Sequence, residues 1–479
     1  MSQELFINVT DYVHRVAVVE DGVLQEIYIE SLQRKGLVGS IYKGKVVRIL
    51  PGIESAFVDI GLEKTGFLHA SDAALSDQSH SISDILEDGQ SIIVQVIKDP
   101  LGNKGARLSR HLSLPGRYLV YMPNSPFFIG VSQRIQEEAE VERLKSLLQA
   151  QILASSLGGY IIRTAAEGVM SLAEDKMYLD RLWDLIQSKA KLAKQGTLLH
   201  ADLPLTLRSL RDLVKPKTHR ILLDNSIAYN ESVTFVHDFM PNTIKKLELY
   251  KAPEPIFDRY GIEDEIEGAL SRKVSLRSGG YLVFDQTEAM TTIDVNTGGF
   301  VGYHQVDDTL FQTNLEAVDT IARQIRLRNL GGMIIIDFID MMNPDHRKQV
   351  LLALEQALAN DNTKTNISDI SPLGLVQMTR KRTRDSLTHQ LCEVCAVCQG
   401  RGKVKSIETI CHEIFRAISR VGVTSDGRML LVLASEAVVE RLLHESSDIL
   451  NRFETIIKKT IKCQVENVYS QEQYDVILR

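Results

Sequence analysis

Two apolar runs each carry an aspartate at the end of what reads as a buried strand. They are Thr291-Thr292-Ile293-Asp294-Val295-Asn296 and Ile334-Ile335-Ile336-Asp337-Phe338-Ile339-Asp340. Stripping water from a carboxylate costs several kcal/mol unless it is paired or metal-bound. Such a chain therefore brings these aspartates to a strand end, where they either cap the following loops or converge on a cation. Mg2+ takes one or two carboxylates, with water and phosphate oxygens completing its shell. Capping remains open as the plainer reading. Asn296 could hold a metal-bound water or simply make a turn. Asp340, three residues past Asp337, would face the other side of a continuing strand, which favours a structural role.

Around these runs, strands alternate with helices over about 271–390, the pattern of an α/β layered domain. The strands are YLVFDQ, MTTIDVN and GGMIIIDFIDM. The helices are TNLEAVDTIARQIRLRNL and one from about His346 to Asn360. Residues 5–30 read as a hairpin around Asp21-Gly22. From Gly39 to Arg110, short strands separated by glycines are what a small closed barrel needs. Helical spacing over 134–157, the strand YIIRT and a helix through 175–195 suggest an α/β unit ending near Pro204. Residues 206–260 contain the β-type runs RILLD and TFVHDF and the connector KAPEPIFDRYG, and 404–479 alternates helix and strand. At roughly 100–200 residues per domain, the 479 residues suggest about three or four domains.

A net charge of -7 excludes a protein that coats nucleic acid by bulk positive charge, but not one with a local basic patch. No apolar run approaches the ~20 residues of a membrane span. Glu4 and Asp11 stand where a signal peptide would be basic and then apolar. With 5 cysteines in the chain, a secreted disulfide framework is not indicated and a reducing, cytoplasmic setting is expected.

Cys395-Ala396-Val397-Cys398-Gln399-Gly400-Arg401-Gly402 has the spacing of a zinc knuckle. A structural zinc wants four ligands. Either Cys392 with His389 or His412 completes the site within one chain, or two chains each give two thiolates to one shared ion. Arg380, Lys381, Arg382 and Arg384 form a basic run that is either a solvated face or a track for an RNA backbone. In the barrel, Phe57 and Phe67 could stack bases, with Lys43, Lys45 and Lys104 as cations.

Over essentially its whole length the sequence resembles the ribonuclease E/G endoribonucleases. GSIYKGKVVRILPGIESAFVDIGLEKTGFLHASD is similar to an S1-type RNA-binding barrel. MTTIDVNTGG, LGGMIIIDFIDM, RKRTRDSL and CAVCQGRG follow in the family's order. The resemblance implies a multidomain α/β (α+β) architecture. A ribonuclease-H-like subdomain (1–37 and 206–270) would hold an inserted S1-type OB barrel (38–110) and a 5′-sensor region (111–205). A DNase-I-like catalytic domain (271–390), a zinc link (391–403) and a small C-terminal domain (404–479) would follow.

It further implies that Asp294 and Asp337 hold a catalytic Mg2+ with Asn296 in support, and that Phe57, Phe67 and Lys104 contact RNA. Arg163 and Thr164 would grip a 5′-monophosphate, with Gly116 and Val120 shaping the wall; the residues alone make Arg163 an ordinary surface arginine. Zn2+ would be shared through Cys395 and Cys398 of two chains, giving a homodimer and possibly a tetramer. Two departures are Ala396, where the family often has proline, and Lys364, where some members use arginine to back the sensor. Lysine lacks the bidentate fork, so weaker 5′-end discrimination is expected. The expected activity is Mg2+-dependent endonucleolytic cleavage of single-stranded RNA, leaving a 5′-phosphate and a 3′-hydroxyl. Roles in rRNA 5′-end maturation and mRNA decay are implied. The alternative is a non-catalytic RNA-binding scaffold.

Overall fold

The first three strands, Gln3–Val9, Val13–Glu20 and Val23–Ser31, run antiparallel. Asp21 and Gly22 both take positive φ, the two-residue turn whose twist matches the strands it joins. Gln3–Val9 also pairs in parallel with Thr218–Leu223, which pairs in turn with Leu247–Leu249. The result is a five-stranded sheet built from both sides of a long excursion. These features belong to a computed structural model that describes residues 2–33, 36–75, 81–100, 104–152, 158–298, 306–359, 361–424, 428–444 and 447–479. The chain divides into two compact units, Met1–Leu387 and Thr388–Arg479.

Within the excursion, Ile41–Leu50, Ser55–Asp59, Gly66–His69, Arg107–Ser109 and Ser91–Lys98 close into a five-strand barrel, because the first strand pairs with both the second and the last. Thr197–His200 adds a strand against Ile41–Lys43. A second sheet orders Ile129–Val131, Gly159–Ile162, Leu119–Met122 and Leu114–Pro115. Helices Glu138–Gln149 and Ala173–Leu192 cover it through a core that includes Leu144, Leu148, Tyr160 and Leu179. The expected helical stretch 134–157 is thus shorter, and its residues 153–157 lie outside the described residues.

The six-stranded sheet of the α/β region runs Lys273–Ser275, Tyr281–Gln286, Met290–Asn296, Gly332–Asp337, Leu375–Arg380, Thr365–Ile367. Met290–Asn296 and Gly332–Asp337 are parallel, so a crossover must link them, and helix Val306–Leu327 provides it. Helix Pro344–Leu358 starts where the Asn343 side chain accepts the Asp345 N–H, with Pro344 in its first turn. The expected helix end at Asn360 lies outside the described residues. In the second unit, Thr460–Val465, Met429–Ala434 and Tyr474–Leu478 form a three-stranded sheet.

One expected element is different. Thr234–Phe239, read as a β-type run, is the last part of helix Ser226–Phe239. Asn225 caps that helix by accepting the N–H groups of Ile227 and Ala228, and Ala228, Ser232 and Val236 lie buried on one face. A cap and a packed stripe outweigh the modest helix penalty of β-branched residues.

Candidate functional site

The acidic pair is placed by backbone register. Asp294 and Asp337 stand directly opposite each other at the ends of the two parallel strands. Both are exposed, so neither carboxylate bears a full desolvation cost. Asn296, two residues on and therefore on the same face, donates from Nδ2 to Asp294 Oδ2 at 2.8 Å. The Asp337 carboxyl is pushed above the usual aspartate range by partial burial and by the negative charges of Asp294 and Asp340.

Asp340 is exposed, and its charge is near enough to act on Asp337. The strand ends at Asp337, so strand alternation does not extend to Asp340. The expectation for Asp340 assumed a continuing strand, and the strand does not continue. Among the described residues, no group of three or more His, Cys, Asp and Glu side chains is gathered closely enough to hold a metal. Two crowded carboxylates and an amide oxygen nevertheless match what Mg2+ takes from a protein when phosphate and water supply the rest. The second glycine of the MTTIDVNTGG motif, Gly299, lies outside the described residues.

On the barrel, cross-strand partners share a face. The register Arg48↔Phe57, Phe57↔Phe67 and Phe67↔Arg107 therefore lays two phenylalanines between two arginines in a single row. The rings meet edge to face, centroids 6.2 Å apart, and both are half-buried. Lys104 is exposed beside this row, next to the Gly105 that packs on the Thr65 carbonyl. Arg48 and Arg107 were not anticipated. A register shift between Val46 and Arg48 sets Arg48 opposite Phe57, and alternation alone does not reveal it. Lys43, an expected cation, is otherwise engaged: its Nζ donates to the carbonyls of Ala190 (2.7 Å) and Ala193 (2.9 Å), closing a helix C-terminus. Lys45 is exposed, on the strand position opposite Asp59.

Gly116, Val120, Arg163 and Thr164 come together at one end of the second sheet. Val120 pairs with Ile161, and the Arg163 N–H donates to the Tyr118 carbonyl at 2.7 Å. Arg163 Nη1 donates to the Gly116 carbonyl at 2.6 Å and to Asp212 Oδ1 at 2.8 Å. Gly116 has no room for a side chain: a Cβ would stand 2.5 Å from Asp175 Oδ2. The Asp175 carboxylate accepts the N–H groups of Arg117, Tyr118 and Leu119, which fixes that turn. Thr164 Oγ1 lies 2.9 Å from Ser132 Oγ. Lys364 is exposed on a different segment, but Arg134 ties its loop to this sheet by donating to the Asp361 carbonyl at 2.7 Å.

The basic run is not a continuous track. Arg380 is buried and pairs with Asp361, Nε to Oδ2 at 2.6 Å. The Arg384 guanidinium lies 3.8 Å over the Tyr28 ring, and burial holds its pKa below the usual arginine value. Lys381 and Arg382 remain exposed. In the second unit, Cys395 and Cys398 lie near the surface, and the Cys395 thiol is pulled below the usual range by the backbone N–H groups of Cys398 and Val397 and by the Cys398 thiol. Zn2+ is ligated by cysteine in its thiolate form, which those N–H groups favour at Cys395.

The ribonuclease E/G family matches residues 113–383, and the S1 RNA binding domain matches 37–111. Ribonuclease G of Salmonella typhimurium is 51% identical over 491 residues, covering 100% of both chains. Ribonuclease G of Escherichia coli is 50% identical over the same span, again with 100% of both chains. Ribonuclease E of Escherichia coli is 37% identical over 452 residues, covering 92% of this chain and 42% of that protein. No helix among the described residues is long and apolar enough to cross a membrane.

Proposed function

The chain belongs to the ribonuclease E/G family and is an endoribonuclease, and from that premise we propose that it cuts single-stranded RNA with Mg2+ and favours 5′-monophosphorylated ends. Membership sets aside the non-catalytic scaffold. The observation that carries the proposal is the register match of Asp294 with Asp337, beside Asn296. Asp294 and Asp337 would hold the ion, which when bound supplies an activated water and offsets charge on the phosphate. Asn296 keeps Asp294 oriented. In-line attack of water on the phosphorus would break the P–O3′ bond, with the leaving oxygen taking up a proton, to give a 5′-phosphate and a 3′-hydroxyl.

The barrel row would hold the strand, Phe57 and Phe67 stacking bases between Arg48, Arg107 and Lys104. Arg163 and Thr164 would take the 5′-phosphate, with Lys364 as the more distant cation. In this reading 271–390 is a DNase-I-like domain, and 1–37 with 206–270 is a ribonuclease-H-like subdomain. The RNAs served would be rRNA precursors, at their 5′ ends, and decaying mRNA.

Cys395 and Cys398 would share Zn2+ with the same pair of a second copy, making a homodimer that could pair further into a tetramer. Chelating zinc should then halve the mass in gel filtration; a dimer that survives full zinc loss refutes the shared site. For the metal, Asp294→Asn and Asp337→Asn should each lower cleavage by orders of magnitude and remove the rise in melting temperature that Mg2+ gives the parent. Retention of near-parental cleavage by either folded variant refutes the assignment.

A further inference from the structure

The Arg163 guanidinium is anchored from one side only. Its Nη1 carries two hydrogens, and they go to the Gly116 carbonyl and to Asp212 Oδ1. Nε and Nη2 have no partner among the described residues, and the side chain is 30% exposed. The free edge is the one that meets a carboxylate or phosphate with two parallel hydrogen bonds.

Asp212 comes from elsewhere in the chain, 49 residues away, near the end of helix Leu205–Leu213. It is itself held by Arg211, whose Nε reaches Oδ1 at 3.1 Å and whose Nη2 reaches Oδ2 at 2.9 Å. Arg211 is buried and also donates to the Pro115 carbonyl, next to Gly116. Burial would raise the Asp212 carboxyl, but the hydrogen bonds and charges of Arg211 and Arg163 outweigh it and hold it below the ordinary aspartate range. One ionised carboxylate therefore sits between two guanidiniums.

We propose that Asp212 is the positioning residue of 5′-end recognition: it turns the Nε–Nη2 edge of Arg163 toward the RNA terminus, and its charge limits the pocket to a single phosphate. This rests on the reading of Arg163 as the phosphate grip. A terminal monophosphate carries roughly -1.5 to -2 charges. Asp212 between the two guanidiniums, Asp202 at 3.7 Å from Arg211 and the Asp175 carboxyl behind Gly116 offset most of the arginine charge, which suits a monoester and is poor for a triphosphate. Without Asp212 the pocket would gain charge but lose the anchor that aims the fork.

The test uses the full chain and one RNA oligonucleotide bearing a 5′-monophosphate, 5′-hydroxyl or 5′-triphosphate. Asp212→Ala should lower the monophosphate-to-hydroxyl rate ratio at least fivefold, through a higher KM for monophosphorylated RNA with little change in kcat. Asp212→Asn keeps an acceptor and removes the charge. It should restore most of that ratio while raising triphosphate cleavage severalfold relative to monophosphate. If Asp212→Ala does not fold, the Asn variant decides alone: no gain on triphosphate RNA overturns the proposal. So does a parental ratio in folded Asp212→Ala when Arg163→Ala collapses it. An unchanged ratio in Arg163→Ala itself overturns the phosphate-grip reading instead, which separates the two failures.

Discussion

The acidic pair and the Arg163 pocket, proposed above to read the RNA 5′ end, are built in opposite ways. At the acidic pair the backbone does the positioning: parallel register fixes Asp294 beside Asp337, and the side chains are left exposed and mutually repelling. In the pocket, tertiary hydrogen bonds do it: the Asp212 side chain and the Gly116 carbonyl hold Arg163 from segments far apart in sequence. A cation site can be left unsatisfied until the ion arrives. A phosphate reader must be aimed beforehand, and so its charges are already paired. Register makes the first robust to most side-chain changes nearby, whereas the second depends on each link.

The largest effect that separates the two is catalytic. Asp294→Asn or Asp337→Asn should lower the Mg2+-dependent rate by on the order of 10³, the scale of losing a charge-stabilising group, with no loss of fold by circular dichroism. Next is a side-chain-built link outside both sites. Arg380→Ala strands Asp361 in the core and should cost about 3–5 kcal/mol in urea unfolding. If it costs no more than Asp337→Asn, the contrast between exposed and paired charge fails. Smaller again, Phe57→Ala or Phe67→Ala should weaken RNA binding by about 1–3 kcal/mol each, measured by fluorescence anisotropy, with kcat on saturating RNA kept.

The smallest effect has the opposite sign. Without divalent cations, Asp337→Asn should melt slightly above the parent at neutral pH, because the parent's ionised Asp337 is partly desolvated and is repelled by Asp294 and Asp340. Its raised carboxyl makes the native state favour the protonated form. The parent's penalty grows as pH rises through that raised range and vanishes below the ordinary aspartate range. The variant's advantage should therefore shrink on acidification; an advantage that grows as pH falls would contradict the crowding.

What could be read from the sequence follows the same division. Asp294, Asp337 and Asn296 were legible because a strand's period and an apolar run are local signals. The barrel was legible for the same reason, from its short strands and glycines. For Asp340 the strand period gave no guide, because the strand ends at Asp337 and where a strand stops is a tertiary matter. Arg380 and Arg384 looked like part of a basic track, yet their partners, Asp361 and Tyr28, lie on other elements that no spacing rule connects to them. Lys43 spends its charge on a helix end 147 residues away. Arg163 gained a role only from the family resemblance, and Asp212 had no signal at all until the fold put it there.

The five-stranded sheet also sets a timetable for the nascent chain. Gln3–Val9 leaves the ribosome early with its hairpin, but its other edge stays open until Thr218–Leu223 emerges. At about 5–20 residues per second that is roughly 10–40 s of translation. Over that interval the barrel and the second sheet have time to fold, while an apolar strand edge waits unpaired. Synthesis that stalls before residue 223 would release a chain with a folded RNA-binding barrel and a half-built sheet, a species whose exposed edge invites aggregation.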